Sequence, residues 1–138
     1  MIVNVIFLLC IGIINDVVKA EDTNGIFPLK KMVMIGNALG GSVQLKAHCK
    51  SKDDDLGVRV LGPGQDFHFR FWTSVFSTTL FKCSFEWPGS GKLHWYDVYN
   101  DKRDYWGCVN CKWIIKPFGI CEFNVQTSAY DRCFSWKE

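Results

Sequence analysis

The stretch Asp66-Phe67-His68-Phe69-Arg70-Phe71 alternates polar and aromatic residues without a break. Successive side chains of an extended strand point to opposite faces, so the three Phe share one face while Asp66, His68 and Arg70 share the other. One face is buried and one is wet, the pattern of a sheet packed on one side. The same period recurs on both sides of this segment. Upstream, Met32 to Ile35 predicts an opening strand, and Val43, Leu45, Ala47 and Cys49 alternate with Gln44, Lys46 and His48. A charged turn from Lys50 to Asp55 leads into a strand from Leu56 to Leu61, which Gly62-Pro63-Gly64 ends. Downstream, Phe81, Cys83 and Phe85 face away from Lys82, Ser84 and Glu86, and Pro88-Gly89-Ser90-Gly91 turns the chain into Leu93 to Tyr99 as a hairpin. After the charged loop Asn100-Asp101-Lys102-Arg103-Asp104, Cys111, Trp113 and Ile115 share a face until Pro117 stops that strand, which is expected at an edge. A last strand carries Cys121, Phe123 and Val125 inward, leaving Cys133 and Trp136 to a C-terminal tail. No long run has helical periodicity. The pattern predicts an all-β fold, a small disulfide-stabilised antiparallel β-sandwich of about eight short strands.

Composition agrees with one small domain. The 138 residues are 48% hydrophobic and 22% charged, enough apolar content to bury a core. Lys and Arg exceed Asp and Glu by only 16 to 14, and a net charge of +2 argues against a nucleic-acid binder that works by counterion release. The N-terminus is an apolar run from Ile2 to Ile14, too short to span a bilayer, followed by Val18-Lys19-Ala20 and the polar Glu21-Asp22-Thr23-Asn24-Gly25. This reads as a signal peptide of residues 1–20 preceding a domain of residues 21–138. Its removal takes Cys10, so the seven cysteines become an even set: Cys49, Cys83, Cys108, Cys111, Cys121 and Cys133. An even set in a secreted chain is a disulfide framework whose pairing spacing alone leaves open. No later stretch is suited to membrane insertion.

Each chemically suggestive group has a plainer reading beside it. Cys108, Cys111, Cys121 and Cys133 offer four thiolates, but their spacing is unusual for a zinc ribbon and an exported chain is normally oxidised before it collects zinc. His48, His68 and His94 lie on predicted strands, mostly facing outward, and none is paired with a nucleophile. Asp53, Asp54 and Asp55 are consecutive, so their carboxylates diverge, and the glycine and distal glutamate of a calcium loop are missing. Glu86 and Asp97 across the hairpin are the one carboxylate pair worth testing for glycoside hydrolysis. Of the aromatic residues, Tyr105 and Trp106 stand out as candidates for exposed recognition because they sit in a charged loop. The sequence holds no assembled catalytic constellation, and no cofactor is expected.

The segment Ala47-His48-Cys49-Lys50-Ser51-Lys52-Asp53-Asp54-Asp55-Leu56-Gly57 resembles a signature of the plant self-incompatibility protein S1 family, the S-protein homologues. Further motifs follow in that family's order: Phe67 to Phe71, Thr78 to Trp87, Asp97-Val98-Tyr99, Arg103-Asp104, and Cys108-x-x-Cys111-x-Trp113. Val33 to Leu39 is similar to its opening strand with an Asn-x-Leu. The resemblance implies a secreted, cofactor-free, non-enzymatic β-sandwich that acts as a recognition ligand of a plant cell-surface membrane receptor, as in pollen–pistil self-incompatibility. A monomer is expected. A rigid scaffold presents recognition on its loops, here Lys52, Asp53, Asp54 and Asp55 in one and Asp101, Lys102, Arg103 and Asp104 in another. The alternative is a small secreted carbohydrate-binding or hydrolytic protein that uses exposed Trp, Trp106 above all.

The family pattern contains four cysteines, matching Cys49, Cys83, Cys108 and Cys111, so Cys121 and Cys133 imply one additional bridge. On one extended strand Cys108 and Cys111 would point to opposite faces, which favours distant partners, and Cys49 with Cys111 and Cys83 with Cys108 is the preferred arrangement. Processing is directly testable: N-terminal sequencing of the secreted protein should give a chain beginning at Glu21, and recovery only from membranes with Ile2 still attached would contradict the leader.

Overall fold

The computed structural model describes residues 27–137, so the expected leader and its cleavage site lie outside the described residues. In chain order the described elements are β1 (Lys30–Asn37), β2 (Leu45–Lys50), β3 (Asp55–Leu61), β4 (Asp66–Trp72), β5 (Leu80–Glu86), β6 (His94–Asn100), a short helix α1 (Asp101–Asp104), β7 (Asn110–Lys116), β8 (Gly119–Asn124) and β9 (Ala129–Ser135). They form a five-stranded sheet in the order β4-β1-β7-β8-β9 and a four-stranded sheet in the order β3-β2-β5-β6. The alternation in β4 is realised as read: Phe67, Phe69 and Phe71 are half-buried while Asp66, His68 and Arg70 are exposed.

Four details differ from the sequence expectation. β1 and β7 pair in parallel, with Met32 opposite Asn110 and Asn37 opposite Ile115, so the sandwich is not wholly antiparallel. Parallel neighbours need a long crossover, and here the chain passes through the whole second sheet between them. That places β7 inside its sheet, and Pro117 ends it at the β7–β8 hairpin and not at an edge. The C-terminal tail is a ninth strand. β9 is an edge strand with nearly every residue exposed, so its side chains carry no apolar alternation to read. Val125, expected inward, lies beyond the end of β8 and is exposed.

The core sits between the sheets and is built from Val33, Ile35, Leu45, Ala47, Phe81, Phe85, Val98, Tyr99, Trp113, Ile115 and Ile120. Trp113 on β7 is fully buried, and its indole Nε1–H donates to the Val98 carbonyl of β6 at 2.9 Å, a hydrogen bond that crosses between the sheets. A second tie is Asn37, whose buried amide nitrogen donates to the Val43 and Leu61 carbonyls while its Oδ1 accepts from Leu39 N–H at 3.0 Å. Gly119 has no alternative: a Cβ there would lie 2.0 Å from the Phe134 carbonyl oxygen of β9.

The disulfides are Cys49–Cys83, Cys108–Cys111 and Cys121–Cys133. The first two overturn the arrangement favoured from parity. Parity placed Cys49 and Cys83 inward, which they are, but β2 and β5 are neighbours in one sheet and the two residues stand directly opposite each other, with Cα atoms 4.0 Å apart. Cys108 is not on a strand. It follows α1 in a turn where the Gly107 and Cys108 N–H groups both donate to the Asp104 carbonyl, and this bend brings its Cα within 5.4 Å of Cys111. The expected Cys121–Cys133 bridge joins opposing residues of β8 and β9.

Loop length ranks the bridges. In the chain-entropy account, replacing both cysteines by Ala should cost about 4 kcal/mol for Cys49–Cys83, about 3 for Cys121–Cys133 and about 2 for Cys108–Cys111. Denaturant midpoints of the three double variants should fall in that order, and a Cys108–Cys111 variant less stable than the Cys49–Cys83 variant would contradict it.

Candidate functional site at one end of the sandwich

Strand register decides which connections lie together. In the smaller sheet Lys50, the last residue of β2, stands opposite Lys82 near the start of β5, and Leu80 stands opposite Asn100, the last residue of β6. In the larger sheet Lys30 stands opposite Trp72 at the end of β4, and Met32 opposite Asn110 at the start of β7. The β4–β5 and β6–β7 connections cross between the sheets at these ends. The β2–β3, β4–β5, β6–β7 and β8–β9 connections therefore gather at one end of the sandwich, and both predicted recognition loops are among them.

The loop predicted at 100–104 is largely structural. The Asn100 side chain caps α1 by accepting from Lys102 N–H at 3.0 Å, a role that an Asn before a short charged run signals in sequence. Asp101 and Asp104 are buried, which corrects their assignment to a partner surface. The Asp101 carboxylate accepts from the Tyr99 hydroxyl at 2.8 Å and from Thr79 N–H at 2.9 Å. Burial, reinforced by that bond, pushes the Tyr99 phenol far above its ordinary pKa. The Asp104 carboxylate accepts from Asn100 N–H at 2.9 Å and from both Arg103 Nε and an Arg103 terminal nitrogen, at 2.8 and 2.6 Å. Burial works against the Arg103 charge, but its bonds to Asp104 outweigh this and hold the guanidinium above its usual value. That guanidinium also lies over the rings of Trp113 and Tyr96, 5.2 and 5.6 Å from their centroids.

A buried lysine completes the end. Lys31 Nζ donates to the carbonyl oxygens of Asp104, Tyr105 and Cys108, stitching β1 to the turn after α1. Burial lowers its pKa, with Asp104 and Asp101 acting in the opposite direction. Tyr105 is buried as well, and its hydroxyl donates to the Phe27 carbonyl at 2.7 Å, so of the two aromatic candidates only Trp106, 81% exposed, faces solvent.

The 47–57 signature divides in the same way. Ser51 and Asp54 close the turn on each other, with Ser51 N–H donating to the Asp54 carbonyl and Asp54 N–H to Ser51 Oγ. The Asp55 carboxylate accepts from Gly57 N–H at 2.9 Å and meets His48 Nε2 at 2.6 Å. These contacts, the Gly57 N–H first, hold its pKa below the usual carboxylate range. Gly57 takes φ +76°, a conformation that favours glycine. Asp55 and Gly57 thus shape the turn, while Lys52, Asp53 and Asp54 are exposed. The structure adds one feature that the sequence reading passed over. In the β4–β5 connection Val75 and Phe76 are exposed at the same end, Phe76 at 79%, beside Ser77 in a left-handed conformation.

The chemical alternatives fare differently. Glu86 stands opposite Lys46 and pairs with it at 3.7 Å, whereas Asp97 stands opposite Lys82, so the two carboxylates do not form the facing pair considered for hydrolysis. Of the three histidines, His94 is buried with its ring stacked between Trp87 and Trp136. Asp104, Cys108 and Glu122 place one donor atom each within 4.8 Å of one another, but Cys108 is bridged to Cys111, and the two carboxylates are paired with Arg103 and Arg132. This cluster is an ion-pair network and not a ligand set. The cysteines of the discounted zinc site are likewise joined in two disulfides.

The sequence pattern of the family described as plant self-incompatibility protein S1 matches residues 32–136. The chain belongs to this family. It is 42% identical over 137 residues to S-protein homolog 3 of Arabidopsis thaliana, covering 96% of this chain and 89% of that protein. S-protein homolog 2 of the same plant is also 42% identical, over 133 residues, covering 90% of this chain and 81% of that protein. A solved structure of an SPH protein, from a family described as small, highly stable, secreted plant proteins, superposes with a TM-score of 0.58 at 18% identity. It covers 79% of this chain and 96% of that one, and it has the same fold.

Seen in the fold, many residues that carried the S1-family resemblance hold it together. Asn37 ties the sheets, Thr79 and Tyr99 hold Asp101, Arg103 and Asp104 pin α1, and Asp55 shapes the β2–β3 turn. A stability comparison separates scaffold from surface within one tetrapeptide. Asp104→Ala leaves Asn100 N–H without its acceptor and Arg103 with only the Asp97 carbonyl, and should cost about 2–3 kcal/mol. Lys102→Ala should stay within about 0.5 kcal/mol. Equal losses for the two variants in thermal unfolding would show that α1 is not an anchor.

Proposed function

We propose that the protein is a secreted, non-enzymatic recognition ligand for a plant cell-surface membrane receptor, acting in pollen–pistil recognition or a related signalling process. The observation that carries this reading is the division of labour at one end of an S1-family sandwich. There a bridged and hydrogen-bonded scaffold holds four adjacent connections, from which Lys52, Asp53, Asp54, Phe76, Lys102 and Trp106 project. Recognition on loops held by a rigid frame needs no catalytic group, and an exposed aromatic among charges is the composition of an interface hot spot. Arg103 and Asp55, first read as contact residues, act in this scheme by positioning their neighbours.

Proximity labelling on living plant cells with the tagged mature protein would identify the partner. Reversing the charges of Lys52, Asp53 and Asp54 together should reduce cell-surface binding by about tenfold or more, equivalent to about 1.4 kcal/mol, with little change in thermal stability. Undiminished binding by this variant and by Phe76→Ala would place the recognition surface elsewhere.

A further inference from the structure

The same end of the sandwich contains a cleft of about 690 Å³ between the turn after α1 and the β8–β9 hairpin. That volume lies within the roughly 300–1,000 Å³ of small-molecule sites. Trp106 stands at its rim with its ring exposed and braced edge-on against Tyr105 at 4.8 Å between centroids. Amide residues line it from both sides, Asn110 from β7 and Asn124 and Gln126 from the β8–β9 hairpin, where Asn124 Oδ1 accepts from Gln126 N–H at 3.0 Å. Its charged lining is Lys31, Lys112, Arg132 and Glu122, an excess of positive charge. Arg132 is committed to Glu122 at 2.8 Å, and Lys31 to backbone carbonyls. Lys112 lies over the Phe123 ring at 5.5 Å, and among the described residues no carboxylate pairs with it.

We propose that this cleft binds an acidic oligosaccharide, a short sugar chain bearing ring carboxylates. Three features select that chemistry together. A flat exposed indole matches the apolar face of a sugar ring, because aromatic side chains combine large contact area with little conformational freedom to lose. The Asn110 and Gln126 amides supply the mixed donors and acceptors that vicinal hydroxyls need. Lys112 supplies the charge for a carboxylate, a charge-assisted contact that a neutral sugar cannot make. An acidic peptide could use Lys112 and pair its backbone with the amides, but its carboxylate-bearing residues offer no ring face to lie on Trp106. The proposal does not rest on the receptor reading, although both draw on Trp106, and the Lys52, Asp53 and Asp54 reversal tests the receptor surface without touching the cleft.

Calorimetric titration of the intact, disulfide-bonded protein with linear trigalacturonate and with its neutral methyl ester tests the assignment. Binding of the acid form with a dissociation constant between micromolar and millimolar is expected, about tenfold or more weaker for the ester, and weakened by added salt. Trp106→Ala and Lys112→Gln should each reduce affinity for the acid trimer by about tenfold, whereas Trp95→Ala, an exposed Trp outside the cleft, should leave it unchanged. Trp106 is 81% exposed and Lys112 makes only a surface contact, so both variants should fold, with circular dichroism and thermal unfolding as the check. No binding at millimolar trimer by the folded protein would overturn the proposal. Equal binding of the ester, retention of affinity in Trp106→Ala, or binding of an acidic peptide in preference to the trimer would do so too.

Discussion

The buried Asp104 carboxylate and its half-exposed partner Arg103, with Lys31 beside them, form the constraint on which the working end of the molecule depends. Asp104 is removed from water, and a carboxylate in that position is stable only if its lone pairs are met. Arg103 and the Asn100 N–H meet them, and Lys31 meets the carbonyls of the following turn. Arg103 in turn rests on Trp113, whose indole reaches across to β6. One polar cluster therefore joins β1, β6, α1 and β7, which belong to both sheets. This is how a five-strand detour can return the chain to lie parallel beside β1 at a fixed register.

Rigidity at this cluster explains how exposed groups can be displayed with definition. Lys102 sits between the two anchored aspartates, and Trp106 follows the buried Tyr105, so neither needs contacts of its own to be held in place. The β4–β5 connection is tied to the same anchor through Thr79 and Asp101. The β2–β3 turn is held separately by Ser51, Asp55 and Gly57. Buried polar groups supply the shape here, and exposed ones are left to vary in role.

How much of this was legible in the sequence depended on whether the signal was local. The period-two pattern of β4, β2, β5 and β7 reports burial of each residue against its own neighbours, so the core faces, including those of Cys49, Cys83, Cys111 and Cys121, were readable. Which strands adjoin is not a local property. The bridges were misassigned for that reason: parity found the face of Cys83 but could not say that β2 lies beside β5. Asp101 and Asp104 looked like a solvated turn because their partners, Tyr99, Thr79, Arg103 and Asn100, are recognisable only once the chain has folded back. β9 was missed because an edge strand open to solvent has no apolar face to show. Of the site, Trp106 was readable as an aromatic in a charged loop, and the cleft beside it was not, since its walls come from segments far apart in sequence.

The central claim, that the connection from Asn100 to Cys108 is part of the rigid frame and not a mobile recognition loop, is tested most directly by native-state amide hydrogen exchange. The amides of Asn100, Tyr105, Gly107 and Cys108, each hydrogen-bonded within the anchor, should exchange with protection comparable to that of the central strands. Those of Lys52 and Asp53, at the tip of the β2–β3 turn, should exchange orders of magnitude faster. Exchange across residues 100–108 as fast as at the β2–β3 tip would contradict the account, because it would mean that the Asp104 anchor does not hold this end of the sandwich closed.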